Sequence, residues 1–168
     1  MGLSGSIFGV SVKGIDETAN TFFEYLMEEL QILEVVRERD VDLLLLEEFH
    51  VSQEFFSWFV GQGYKNEPSV SKLIKACHSV MDSELGESDL VVQFYNSNNQ
   101  KCALLIENKI DAIPQPNQAQ RYQERGAKGV EEGNWEIFKT CIVAPKKYLQ
   151  SKSTEAIIYD AWTCRRLI

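Results

Sequence analysis

The chain has 168 residues, 44% hydrophobic and 25% charged, enough for one domain with a sizeable core and unlike the composition of a disordered segment. Its net charge of −8 argues at first against a nucleic-acid partner. The charge is uneven, however. Residues 1–96 carry 6 basic and 17 acidic side chains, whereas residues 97–168 carry 11 basic and 8 acidic, so the second part of the chain is compatible with phosphate contacts that weaken with salt.

In chain order, residues 1–14 read as a flexible Gly/Ser-containing lead-in and residues 15–168 as a single domain. Met1–Gly14 has neither the basic region nor the apolar stretch of a secretion signal. A long amphipathic helix is expected over 16–38, where Phe22, Phe23, Leu26, Met27, Leu30 and Leu33 recur near a 3.6 period among glutamates. Asp40 is a candidate cap for a second helix over Val41–Phe49. Ser52 should cap a third, which carries Phe55, Phe56, Trp58 and Phe59 into the core and ends at Gly61 and Gly63. Pro68 and Ser69 should open a fourth helix reaching Val80.

Two β-rich runs follow, near 88–95 and 101–110, around the turn formers Asn96-Ser97-Asn98-Asn99-Gln100, which is the pattern of a β-hairpin. Pro114 and Pro116 exclude an early helix start, so the next helix should run from Asn117 to Arg125 and stop at Gly126. A strand over Ile137–Ala144, a short helix near Lys146–Gln150 and a last strand over Ala156–Tyr159 complete an α/β reading: a mixed β-sheet flanked by helices on both faces, with a helical N-terminal half.

The hairpin carries the chemistry. A turn centred on Asn98 sets Asp89 opposite Glu107, where Cβ atoms lie roughly 4.5–5.5 Å apart and like charges destabilise the sheet. Lys109, two residues on, shares the face of Glu107. Glu107 follows the apolar run Ala103–Ile106, and a carboxylate in such a place needs a partner. A divalent cation bridging the two carboxylates would relieve their repulsion. Mg²⁺, with Mn²⁺ as a substitute, takes oxygen ligands, so Asp89, Glu107 and the carbonyl of Asn108 form the candidate metal set.

Gly-Glu-Ser-Asp ahead of one strand and Ile-Glu-Asn-Lys-Ile at the end of the next resemble the PD-(D/E)xK nuclease superfamily, with Asp89, Glu107 and Lys109 as the motif and Ser88 in place of its proline. Gln118 and Tyr122 match the Gln-x-x-x-Tyr pattern that many members carry on the following helix. The resemblance implies a restriction-endonuclease-like core and Mg²⁺-dependent hydrolysis of phosphodiester bonds in nucleic acid, DNA above all. It also implies that Lys109 acts on the attacking water and on transition-state charge, that Gln118 and Tyr122 orient the site, and that an early helix adds an acid. Glu47 and Glu48 are the candidates for that acid. They point about 100° apart on a helix, so only one can face the site, and Glu48 is favoured.

Arg121 and Arg125 share one helix stripe with Gln118 and Tyr122 and are candidate phosphate contacts. Cys77, Cys102, Cys141 and Cys164 lack zinc or redox spacing, and His50 and His78 lack ligand spacing to them. Reduced structural thiols fit a cytoplasmic protein. No apolar run approaches the ~20 residues of a membrane span, so no membrane partner is expected, while a second copy or another protein is compatible with the surface. A competing expectation is a nuclease-like module that binds nucleic acid or regulates without turnover.

Overall fold

The computed structural model describes residues 36–64, 69–113 and 115–149, the side chains of 146 and 147 apart, and the backbone of 6–7, 10–11 and 164–167. The expected helix over 16–38, as far as residue 35, and the expected strand at Ala156–Tyr159 lie outside the described residues. Within the expected lead-in, strands β1 (Ser6–Ile7) and β2 (Val10–Ser11) pair antiparallel.

Helices α1 (Glu38–Val51) and α2 (Gln53–Tyr64) precede strands β3 (Val70–Asp82), β4 (Gly86–Asn96) and β5 (Lys101–Asn108). Helix α3 (Gln118–Glu131), strand β6 (Ile137–Ala144), helix α4 (Lys146–Leu149) and strand β7 (Cys164–Leu167) follow. The five strands lie in the order β3-β4-β5-β6-β7. The first three run antiparallel, and β6 and β7 run parallel to β5 and to each other. The fold is α/β with a mixed sheet, as the sequence implies.

The alternation of side chains along β4 and β5 sorts the core into two layers. Leu90, Val92, Phe94, Cys102, Leu104 and Ile106 pack with Phe49, Phe56, Phe59 and Tyr64 of α1 and α2. Val91, Ala103 and Leu105 pack with Ala119 and Tyr122 of α3. Strand β5 is therefore covered on both faces, which accounts for its unbroken apolar run. Tyr64 Oη donates to the Ala103 carbonyl at 2.7 Å, tying the end of α2 to this central strand.

The hairpin register is the one the turn residues dictate. Leu90 pairs with Ile106 and Tyr95 with Lys101. The side-chain oxygen of Asn96 accepts the N–H groups of Asn98 and Gln100, both at 2.9 Å. Asn99 takes φ 59°, a left-handed conformation that asparagine tolerates.

Several expectations need correction. The segment read as a fourth helix is β3. Its pairing with β4 slips between Val70 and Lys72 and again between Leu73 and Lys75. Each bulge adds a residue, so the inward positions Val70, Leu73 and Ala76 fall three apart instead of two and imitate a helical period. Gly61 and Gly63 are buried inside α2, and Gly126 lies inside α3, which continues to Glu131. Asp40 is the third residue of α1, not its cap, and reaches back to accept the Arg37 N–H at 2.9 Å. The Ser52 cap is as expected: its Oγ accepts the Phe55 N–H at 3.1 Å. Trp58, expected in the core, is 39% exposed.

Gly126 is a packing glycine. A Cβ there would fall 2.1 Å from the Phe138 ring. Gly126→Ala gains about 1 kcal/mol of helix propensity, but overpacking costs about 1–3 kcal/mol. We expect a net loss of stability in urea unfolding; a stabilised variant would show that the ring can yield.

Candidate active site

The hydrogen-bonded ladder between β4 and β5 stops at Leu90–Ile106, one position short of Asp89 and Glu107. There a side chain takes over from the backbone. Asp89 Oδ2 accepts the Asn108 N–H at 2.8 Å, and its other oxygen accepts no hydrogen bond among the described residues. Asp89 and Glu107 are thus brought together at the strand ends, on the face covered by α3.

Glu107 is 2% exposed and surrounded by donors. Its Oε1 accepts Gln118 Nε2 at 2.6 Å and lies 2.6 Å from the Lys109 ammonium, while its Oε2 accepts the Tyr122 hydroxyl at 2.5 Å. The Tyr122 oxygen in turn accepts the Asp89 N–H at 3.1 Å. One phenol therefore joins both acids, and the four-residue spacing from Gln118 to Tyr122 places both side chains on one helix face. Burial, then the charges of Glu107 and Asp89, raise the Tyr122 pKa well above its ordinary value, so the phenol keeps its proton and remains a donor.

Burial first, and then the charge of Glu107, push the Asp89 pKa up to about 8, against the pull of the Asn108 N–H. For Lys109, burial opposes the charged form, but Glu107, Glu38 and Asp89 together raise its pKa, and the ammonium stays charged. In the protein alone, a proton on Asp89 partly fills the role a cation would have.

The acids that α1 delivers are Glu38 and Asp42. Glu38 Oε2 lies 3.3 Å from the Lys109 ammonium and its Oε1 accepts the Ile110 N–H at 3.2 Å. Asp42 accepts the Asn108 side-chain amide and lies 3.6 Å from His78 Nε2. Burial is the main cause of its raised pKa. Glu47 is exposed and Glu48 half-buried, and neither makes a described contact here. Glu48 stands roughly 15 Å along the helix axis from Glu38. Glu38 and Asp42 are four residues apart and share a helix face; that signal was legible, but starting the helix at Val41 hides it. The Asn108 side chain faces α1, away from Asp89 and Glu107, as its alternation with Glu107 requires, and its Oδ1 is buried without a partner.

The two arginines separate. Arg121 sits half-exposed, its guanidinium donating to the Pro116 carbonyl at 2.7 Å and to Gln115 Oε1 at 2.9 Å. Arg125 is 7% exposed. It stacks over the Tyr122 ring, 4.1 Å from the centroid, and donates to Ser88 Oγ at 2.8 Å and to the Leu85 carbonyl. Burial lowers its pKa. Its bonds hold the β3–β4 turn and the residue before Asp89, so its guanidinium acts on the site from behind. Ser88, which the sequence offered only as a motif variant, is its anchor.

These groups line a cleft of about 500 Å³ that includes Asp89, Glu107, Lys109, Gln118 and Arg121, with Glu84 of the β3–β4 turn and Glu87 at the start of β4. Among the described residues no group of three or more histidine, cysteine or carboxylate side chains is arranged to hold a metal ion; of the carboxylates that line the cleft, Asp89 and Glu107 are the pair brought together at the strand ends. No family model matches the chain, and neither a curated protein nor a solved structure matches it.

The raised pKa of Asp89 makes stability depend on pH. The folded protein keeps a proton up to about pH 8 that the unfolded chain releases near 3.8, so stability falls as pH rises through that window. Asp89→Asn keeps the acceptor for Asn108 and removes the ionisation. We expect it to melt higher than wild type at pH 8, with the gap closing as the pH falls to about 4. A gap that does not change with pH would show that Asp89 ionises freely in the folded protein.

Proposed function

We propose that this protein is a metal-dependent nuclease that hydrolyses phosphodiester bonds of nucleic acid, with DNA the first substrate to test. The observation that carries the reading is the pair Asp89 and Glu107 at the end of the β4–β5 ladder, with the Lys109 ammonium 2.6 Å from Glu107. The donor set is of the hard, oxygen type that suits Mg²⁺ or Mn²⁺: Asp89 with one oxygen unused by any described donor, Glu107, and the Asn108 carbonyl. When bound, the ion would supply Lewis-acid charge to a phosphoryl oxygen and make water more acidic.

The remaining work falls to the chain's own groups. Gln118 and Tyr122 fix the Glu107 carboxylate. Lys109, held charged between Glu107 and Glu38, is placed to orient water and to stabilise negative charge that grows on the phosphate oxygens. Arg121, at the cleft, can meet a phosphate. Arg125 keeps Ser88, and with it the approach to Asp89, in place.

A second reading has an observation of its own. Both oxygens of Glu107 are already engaged, by Tyr122, Gln118 and Lys109, which suits a module that binds nucleic acid or regulates without turnover. Lys109 separates the two. An interaction made mainly in the transition state lowers the rate when lost and leaves ground-state binding nearly intact. Lys109→Ala should cleave at least ~100-fold more slowly than wild type in Mg²⁺ while binding nucleic acid about as well. Lys109→Arg should recover only part of the rate, because a planar fork does not reproduce a point charge. A wild-type protein that binds DNA or RNA and cuts neither would move the assignment to the second reading.

A further inference from the structure

We infer that the cleft accepts a single strand of nucleic acid and disfavours a duplex, because its exposed glutamates and its half-exposed arginine come from two different parts of the fold. The inference rests on the nuclease reading above and names the substrate class of the same site.

The accessible cation comes from the start of α3, as the half-exposed Arg121. Lys109 and Arg125 also line the cleft but are buried, the first paired with Glu107 and Glu38, the second bound to Ser88 and the Leu85 carbonyl. The exposed anionic part comes from the β3–β4 turn and the start of β4, as Glu84 and Glu87, which both line the cleft. This turn is held in place. Asp82 Oδ1 accepts the N–H groups of Glu84 and Leu85, both at 2.9 Å, and Asp82 Oδ2 pairs with Lys128 of α3 at 2.7 Å. Arg125 grips the Leu85 carbonyl, and Ser79 Oγ donates to Glu87 Oε1. The backbone that carries the two glutamates is therefore tied to α3, the same helix that presents Arg121.

A phosphate seated on Arg121 is favourable for either kind of nucleic acid, since among the described residues only two of the guanidinium's five N–H groups are spent, on Pro116 and Gln115. The second strand makes the difference. A duplex carries one charge per ~1.7 Å of axis and a single strand about half that density. Across its grooves, ~6 and ~12 Å wide, a duplex always presents phosphates on both sides. With screening lengths of ~8 Å at physiological salt, the second row of phosphates would feel Glu84 and Glu87. A lone strand can run its backbone along Arg121 and turn uncharged sugars and bases toward the glutamates.

The lining also says how the bases are treated. Its one aromatic, Tyr122, is 0% exposed and covered by Arg125, so among the described residues the cleft offers no platform on which a base could stack. Recognition then runs through the backbone and tolerates sequence.

The test measures anisotropy of labelled oligonucleotides at about 0.05 M salt without divalent metal, so that nothing is cut. It uses one sequence as a single strand and annealed to its complement. Wild type should prefer the single strand. Glu84→Gln combined with Glu87→Gln should tighten duplex binding by about tenfold and single-strand binding by less than about threefold. Equal gains for both forms, or a wild type that prefers the duplex, would overturn the strand preference and leave the nuclease reading standing. Failure of wild type and variant to bind either form would remove that reading, and this inference with it.

Discussion

The juxtaposition of Asp89 and Glu107 is the constraint on which the rest of the structure depends. Two carboxylates at facing ends of β4 and β5 repel each other, and the hairpin loop fixes that they must face. The molecule answers in several ways at once. It ends the backbone ladder before reaching them, gives Asp89 a main-chain N–H from Asn108, sets an ammonium against Glu107, and leaves Asp89 with a pKa near 8. Carboxylates whose ionisation is shifted by burial and by a like-charged neighbour cluster at functional sites, and that is why the proposed function is built on this pair.

Both neighbouring helices are organised by that pair. On one face of the sheet, α3 contributes a continuous strip: Gln118 and Tyr122 touch Glu107, Arg125 backs the Tyr122 ring and anchors Ser88, and Lys128 holds Asp82. The strip binds the β3–β4 turn, the strand ends and the cleft into one unit. On the other face, α1 reaches the same strand end through Glu38 and Asp42. The alternation of Glu107 and Asn108 along β5 decides which helix each side chain meets.

Much of this was legible in the chain. The asparagine-rich loop fixed the register, the apolar run of β5 marked Glu107 as a carboxylate in need of a partner, and the Gln118–Tyr122 spacing put those two groups on one helix face. What misled the reading has physical causes. Bulges in β3 shifted its inward residues to every third position, so a strand took on the period of a helix. Gly126 looked like a stop signal, but its missing Cβ makes room for Phe138. Arg125 looked like a surface cation by its type and stripe; only the packing of the β3–β4 turn over α3 buries it. Glu38 escaped notice because the start of α1 was set three residues late, which left Glu48 as the acid in view.

The central claim, that Asp89 and Glu107 form a cation site whose place a proton partly takes, is tested most directly by counting protons. Calorimetric titration of the wild-type protein with Mn²⁺ at pH 7, repeated in two buffers of different ionisation enthalpy, reads the protons released per ion bound. With Asp89 near 8, the account predicts saturable binding with release of close to one proton, and Asp89→Asn should abolish that release. Absence of Mn²⁺ uptake, or uptake with no proton released, would contradict it.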